Sequence, residues 1–173
     1  MSAQPFIRFA PPTALPATLR IQARCYTAIV PESATSMGAK VAAAPDTCFV
    51  ACQGEHIVAY LLALPWRFDD PPGLDAAECR LPARPDTLYL HDLAVDPEAR
   101  GSGIADMLVG AFLAALTTLS LPRASLIAIQ HSAPWWSRHG FVPVPVAAPL
   151  SVRLAGYGKD AAYMCRLAAT PDP

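Results

Sequence analysis

The sequence predicts an α+β fold, a mixed sheet of six or seven strands with about four helices, built as one domain over residues 1–173. Three observations carry that expectation. Short runs of strand-forming residues recur along the chain and alternate with stretches that place apolar residues at helical spacing. At 173 residues with 53% hydrophobic composition, the chain is long enough to bury a full core. Finally, residues 87–119 read TLYLHDLAVDPEARGSGIADMLVGAFLAALTTL, an apolar strand, then a turn and glycine loop, then a helix with Ile104, Leu108, Phe112, Ala115 and Leu119 on one face.

The elements follow in order. Residues 6–10 alternate apolar and charged side chains as a first strand and stop at Pro11-Pro12. Thr13 is placed to cap a helix running to about Tyr26, with Leu15, Leu19, Ala23 and Tyr26 on one side. Ile29-Val30-Pro31 interrupts it, and residues 32–43 form a weaker second helix ended by Pro45. Residues 47–52 and 56–64 are strands joined by a tight hairpin at Gln53-Gly54-Glu55, which makes His56 a solvated turn residue. Residues 65–86 are irregular and proline-rich, with five acids, three arginines, Trp66 and Phe68. Long segments of this kind are uncommon in compact domains. Two readings stay open: a lid over an amine site, or a solvated insertion. After the central helix, residues 124–129 are a buried strand. Ser132 is an N-cap candidate for a short helix that stops at Gly140. Pro143 and Pro145, two apart, leave one sheet edge with few ladder bonds. Residues 161–167 are the last strand.

Composition narrows the function. A formal net charge of −1 gives no basic footprint for nucleic acid. No apolar run approaches a membrane span, and the N-terminal stretch lacks a basic region followed by an apolar one, so neither membrane association nor a secretory leader is expected. Five cysteines form no CxxC pair; reduced thiols in a cytoplasmic protein and no metal site are the expectation.

The chemistry is concentrated in the strand–loop–helix stretch. The first amides of a helix are unpaired, the helix dipole is positive there, and glycine lets backbone approach an anion closely. No Lys follows Gly103, which excludes a Walker loop. Gly101-Ser102-Gly103-Ile104-Ala105-Asp106 lacks the third glycine of a dinucleotide fingerprint. What the stretch resembles is motif A of the GNAT superfamily of acyl-CoA N-acyltransferases. Arg100-Gly101-Ser102-Gly103-Ile104-Ala105 fits its [QR]-x-x-G-x-[GA] signature, with Leu93-Ala94-Val95-Asp96-Pro97 in the place of its upstream strand end.

The resemblance implies a GNAT fold with a mostly antiparallel sheet, acetyl-CoA as cosubstrate, and a bulged motif strand that diverges from its neighbour to open a cleft. It implies that backbone groups of Leu93, Ala94 and Val95 pair with the pantetheine arm. The amides of Gly101, Ser102, Gly103, Ile104 and Ala105, with Asp106 adjoining, would hold the pyrophosphate, and the Leu93 amide would point at the thioester oxygen. Arg100 belongs to the same site, with closure of the loop or pairing with nearby acids as its other reading.

Within the superfamily the sequence is most similar to the arylalkylamine (serotonin) N-acetyltransferase branch. That branch has a His on the motif strand, matched by Leu90-His91-Asp92-Leu93-Ala94-Val95; its second His, two residues earlier, is Tyr89 here. Its V-P-F-Y-x-R-x-G-F helix is matched by residues 133–141, APWWSRHGF, which puts Trp136 where the branch has a tyrosine general acid. An indole donates a hydrogen bond but does not usefully titrate.

The chemistry of amide formation gives these residue types their roles. An amine near pKa 10 is mostly ammonium at pH 7, about three units from its nucleophilic form. An imidazole, which titrates near about 6.5 in peptides, suits the base, so His91 is favoured. Strand alternation sends Asp92 to the opposite face, and only one of the pair is expected in the cleft. His131 and His139 are read as structural. The expected function is acetyl transfer from acetyl-CoA to a primary amine, in particular a small and even aromatic one, by direct attack on the thioester, in a monomer or homodimer. The alternatives are acetylation of protein N-termini or lysines, and a non-catalytic acyl-CoA-binding sensor.

Overall fold

The computed structural model describes residues 3–169, so Met1 and Ser2 of the N-terminal stretch lie outside it. Seven strands form one sheet: β1 (Pro5–Phe9), β2 (Cys48–Gln53), β3 (His56–Trp66), β4 (Thr87–Val95), β5 (Arg123–Ala128), β6 (Val142–Pro143) and β7 (Ala162–Leu167). Their order across the sheet is β1-β2-β3-β4-β5-β7-β6. Neighbours are antiparallel except β4 and β5, which run parallel. The expected α+β architecture is therefore present, with the mixed sheet at its upper strand count.

Five helices accompany the sheet: α1 (Leu15–Cys25), α2 (Ala34–Ala43), α3 (Ile104–Thr118), α4 (Ala133–Arg138) and α5 (Ala148–Ala155). The central strands are apolar at nearly every position because both faces of the sheet are covered. On one face Leu61, Ala63, Leu88 and Leu90 pack under Ile104, Leu108, Phe112 and Leu116 of α3. On the other, Val50, Tyr60, Leu62 and Leu64 meet Ile21 of α1 and Met37 of α2. Burial of this kind contributes roughly 1.5–3 kcal/mol for each large apolar side chain.

Several local expectations are corrected. Thr13 does not cap α1. Residues Pro12–Ala14 form a single 3₁₀ turn, and α1 starts after Ala14, which makes no side-chain cap. Pro16 tolerates this start because a helix's first amides need no intrahelical partner. The second helix begins two residues later than predicted, where the Ser33 hydroxyl accepts from the Ser36 amide at 3.2 Å. Ser132 precedes α4 without a side-chain cap, whereas Gly140 takes the left-handed conformation (φ 82°) that ends it. α5 was not expected at all. Only Leu150 and Leu154 of its eight residues are buried, packed on Tyr89 and Tyr163, too short a pattern to read as a helix.

The irregular segment is shorter than it looked, since β3 continues to Trp66. Residues 67–86 are anchored rather than free. Arg153 of α5 donates to Asp70 at 3.1 Å and to the Pro71 carbonyl, Tyr163 of β7 donates to the Phe68 carbonyl, and Asp75 accepts from the Ser33 amide at 2.8 Å. The edge strand β6 pairs with β7 at only two residues, as the two prolines require.

The capping difference is measurable. Ser33→Ala should lower unfolding stability by about 1 kcal/mol, the usual loss for an N-cap hydroxyl. Thr13→Ala should stay within about 0.5 kcal/mol of the parent, as an exposed residue without such a role does; chemical denaturation of the two variants distinguishes them.

Candidate active site

β4 and β5 begin side by side and then part. Only Leu88–Leu90 pair with Ala124–Leu126, although β4 runs on to Val95. Beyond Leu90 the β5-facing edge of β4 is left open. The Asp96 amide donates to the Val58 carbonyl of the strand on the other side at 2.8 Å. Alternate backbone groups of an antiparallel strand point to opposite neighbours, so those of Leu93 and Val95 face the opening. Their carbonyls are met there by the Tyr26 hydroxyl (3.1 Å) and by the Cys25 thiol (3.3 Å) respectively.

A bulge decides which side chains share this opening. On β3, Leu62 faces Asp92 but the next residue, Ala63, faces Leu90, so His91 is an extra residue without a partner position. A β-bulge of this type shifts the alternation of the strand by one. Leu88 and Leu90 therefore point to the α3 face, Tyr89 and His91 to the other, and Asp92 follows His91 onto the same side instead of reversing. This corrects the expectation that only one of His91 and Asp92 faces the cleft: both line it.

Each of the two has a built environment. His91 Nε2 meets Glu32 Oε1, and the imidazole is 3% exposed. Its Nδ1 is buried and has no partner. Glu32 also takes Lys40 Nζ and Ser36 Oγ on Oε2, both at 2.7 Å. Burial alone would raise the Glu32 carboxyl; the bond and charge of His91, with Lys40 and Ser36, outweigh it and hold it at about 2. Asp92 Oδ1 is hydrogen-bonded with the Tyr26 hydroxyl at 2.5 Å, and Oδ2 accepts from Tyr60 at 2.6 Å. Here burial wins over both hydroxyls, and the Asp92 carboxyl is raised above its usual range. Burial also pushes the Tyr26 and Tyr60 phenols up, so both stay protonated donors.

The cleft around these groups has a volume of about 380 Å³. Trp135 and Trp136 wall it on the α4 side, and Ile29, Val30, Leu74, Tyr89 and Tyr157 complete the lining. Trp136 is buried and stacks edge-on to Trp135 and Phe141. A second hollow of about 250 Å³ adjoins it, lined by Val95, Arg100, Gly101, Gly103, Ile104, Ala105 and Asp106, with Val95, Arg100, Ala105 and Trp135 common to both. Gly101 and Gly103 both sit at φ 76°, a left-handed conformation that side chains resist, and a Cβ at either would meet nothing within 4 Å. The loop thus presents bare backbone to open space at the N-terminus of α3, an arrangement suited to a phosphate.

The sequence-predicted residues are brought together with one exception. The Ser102 hydroxyl turns back to the Ala99 carbonyl at 2.5 Å and does not line the hollow. Arg100 closes the loop, donating to the Val95 carbonyl at 3.4 Å, rather than pairing with acids. Ala94 is buried against the α1/α2 side and lines the cleft, as Leu93 does. His139 pairs with Asp106 at 3.0 Å, and His131 is exposed away from the cleft lining. Glu32, Tyr26 and Tyr60 were missed as site residues; each sits in an apolar helix, strand or connection, with no motif to mark it.

The sequence profile of the Acetyltransferase (GNAT) family matches residues 15–141, which spans the glycine loop, the bulged strand and the short helix after it. The chain belongs to the GNAT acetyltransferase family. Solved structures with this GNAT fold include Ard1 from Thermoplasma volcanium (16% identical, TM-score 0.73, covering 96% of this chain and 99% of that one). The ribosomal-protein-S18-alanine N-acetyltransferase of Escherichia coli is similar at 16% identity and TM-score 0.68, over 98% and 97% of the two chains. Arabidopsis thaliana Naa50, bound to the bisubstrate analogue CoA-Ac-MVNAL, gives 12% and 0.68 over 94% and 97%. No curated protein matches the sequence. In this GNAT protein, among the described residues, no helix is long and apolar enough to cross a membrane.

The Glu32 environment carries a pH signature. Its carboxyl is held at about 2, below the ordinary 4.5, so its contribution to stability is complete above pH 4.5 and lost as pH falls through 2. Glu32→Gln should therefore show a shallower loss of stability than the parent over that window, read from denaturant midpoints at successive pH values.

Proposed function

We propose that the protein transfers an acetyl group from acetyl-CoA to a small primary amine by direct attack on the thioester. The observation that carries this reading is the pairing of a base-and-carboxylate couple, His91 with Glu32, at the open edge of β4 beside an anion-binding glycine loop. The amides of Gly101, Ser102, Gly103, Ile104 and Ala105, with Asp106 adjoining, suit the pyrophosphate. The edge of Leu93 and Val95 suits the pantetheine arm, and the Leu93 amide suits the developing oxyanion.

His91 is the general base of this proposal. Glu32 is ionised and is bonded to Nε2, which leaves Nδ1, the ring nitrogen without a partner, to take the proton from the attacking amine. Glu32 is a positioning residue: it fixes the tautomer and the ring's orientation. Trp136 walls the acyl end and does not titrate, so the role its family position implies falls to another group.

The small-amine class rests on the mouth. Leu74, from the anchored segment, together with Val30 and Tyr157, narrows the approach to His91. Aromatic walls at Tyr89 and Trp135 favour an acceptor with an apolar body, which agrees with the arylalkylamine-branch likeness of residues 90–95. A second reading, acetylation of a protein substrate, draws on the ribosomal-protein alanine named for the Escherichia coli protein and the peptide analogue named for the Arabidopsis one. Release of CoA thiol across a panel of amines and short peptides separates these readings, and separates an enzyme from a binding-only sensor.

The base assignment makes a kinetic prediction. His91→Ala should lower kcat by about 10²-fold near pH 7 with CoA affinity retained, the usual range for one general base. The deficit should shrink as pH rises, because free amine then accumulates without help. Wild-type kcat with an unchanged pH profile would remove His91 from the role.

A further inference from the structure

The Tyr26 hydroxyl has one hydrogen and two acceptors: Asp92 Oδ1 at 2.5 Å and the Leu93 carbonyl at 3.1 Å. If Asp92 were ionised, one phenol hydrogen would be divided between two oxygens. If Asp92 carries a proton on Oδ1, every group is served. The carboxyl donates to Tyr26, Tyr26 donates to the Leu93 carbonyl, and Tyr60 donates to Oδ2 at 2.6 Å. The Leu93 carbonyl lies on the open edge where the thioester is placed, and Trp136 supplies no acid across the cleft.

We propose that Asp92 is held as a carboxylic acid and that its proton reaches the sulfur of the departing CoA thiolate through the Tyr26 hydroxyl. The proposal rests on the acetyltransferase reading and supplies the acid that reading lacks. When the amine nitrogen bonds to the carbonyl carbon, its proton goes to His91 Nδ1. As the C–S bond breaks, sulfur takes the Tyr26 proton and Tyr26 takes the Asp92 proton. The step ends with the amide, the CoA thiol, an imidazolium at His91 and a carboxylate at Asp92. Passage of one proton from His91 to Asp92, successive residues on one face because of the bulge, restores both. No further reactant is needed.

The surroundings favour an acid at this position. The groups that face Asp92 are Tyr26 at the end of α1, Glu32 before α2, Tyr60 on β3 and His91 on β4, while Cys25 and Arg100 act on Tyr26. Arg100 is turned to the Val95 carbonyl and Cys25, and the ring of His91, whose charge favours the ionised form of Asp92, is itself engaged by Glu32. The negative charge of Glu32 and the burial of the carboxyl both act against ionisation of Asp92.

Two near-isosteric variants test the relay. Asn at position 92 can donate to Tyr26 and accept from Tyr60 as the neutral acid does, so Asp92→Asn should leave the melting temperature unchanged. Tyr26→Phe and Asp92→Asn should each lower kcat by about 10- to 10²-fold with the KM for acetyl-CoA little changed, toward the low end for an acid because a thiol near pKa 8.5 leaves readily. The double variant should fall no further than either single one, since both act on one proton path. Independently of turnover, infrared difference spectra of wild type against Asp92→Asn at pH 7 should show a carboxylic-acid C=O stretch that only the wild type has. A carboxylate band in its place, additive kinetic losses, or unchanged kcat in Tyr26→Phe overturns the relay. Absence of acetyl transfer by the wild-type protein removes the parent reading and the relay with it; transfer at the wild-type kcat in both variants removes the relay alone.

Discussion

The extra residue at His91 is the constraint on which the rest of the site depends. Without it β4 would alternate strictly, His91 and Asp92 would sit on opposite faces of the sheet, and Asp92 would be driven into the apolar layer under α3. With it, the phase shifts once, Leu93 and Val95 join Leu88 and Leu90 on the α3 side, and the two titratable residues share the α1/α2 side. The same residue lies where β4 and β5 part. One local irregularity thus supplies an open backbone edge and a polar pair beside it. Bulges near active sites commonly re-aim side chains in this way.

Placing polar groups in a closed interior carries a desolvation penalty, and the structure offsets it in pairs. Glu32, Lys40 and Ser36 form a satisfied cluster beneath α2, with Lys40 only 3% exposed. Removal of one partner from such a buried pair is strongly destabilising, although the intact pair contributes little net stability. The cluster's value is positional: it holds the carboxylate against His91 Nε2. At the other end, Arg24 bridges Asp96 at 2.8 Å and Glu98 at 2.8 Å, and Asp96 also accepts from the Glu98 amide. That bridge ties the end of α1, which carries Tyr26, to the turn that leads into the glycine loop. The acceptor side and the anion side are therefore fixed to one another.

Much of this was legible in the sequence. Residues 87–119 announced strand, glycine loop and helix because each has a local cause: a short apolar run bounded by a turn, a pair of glycines and 3.6-residue spacing. The loop residues, Leu93, Val95 and His91 were singled out from the family likeness of that stretch, and Trp136 from the likeness of residues 133–141. Three things were not legible. The family likeness implies a bulged strand but not which residue is extra, because that depends on register against β3, so strict alternation puts Asp92 on the wrong face. Glu32 and Tyr26 lie 59 and 66 residues from the partners they meet, His91 and Asp92, and nothing near them in sequence marks the meeting. α5 buries two side chains and has no side-chain cap, so tertiary packing on Tyr89 and Tyr163 makes it, not local pattern.

In the proposed reaction the acyl group is attacked at the bulged, open edge of β4. A crystal structure of the acetyl-CoA complex tests it most directly. The expected complex has the pyrophosphate on the amides of Gly101 to Ala105, the thioester oxygen at the Leu93 amide, and the sulfur on the side of Tyr26 with His91 facing the acetyl carbon. A thioester lying away from Leu93, or a pyrophosphate held elsewhere than the glycine loop, would contradict it.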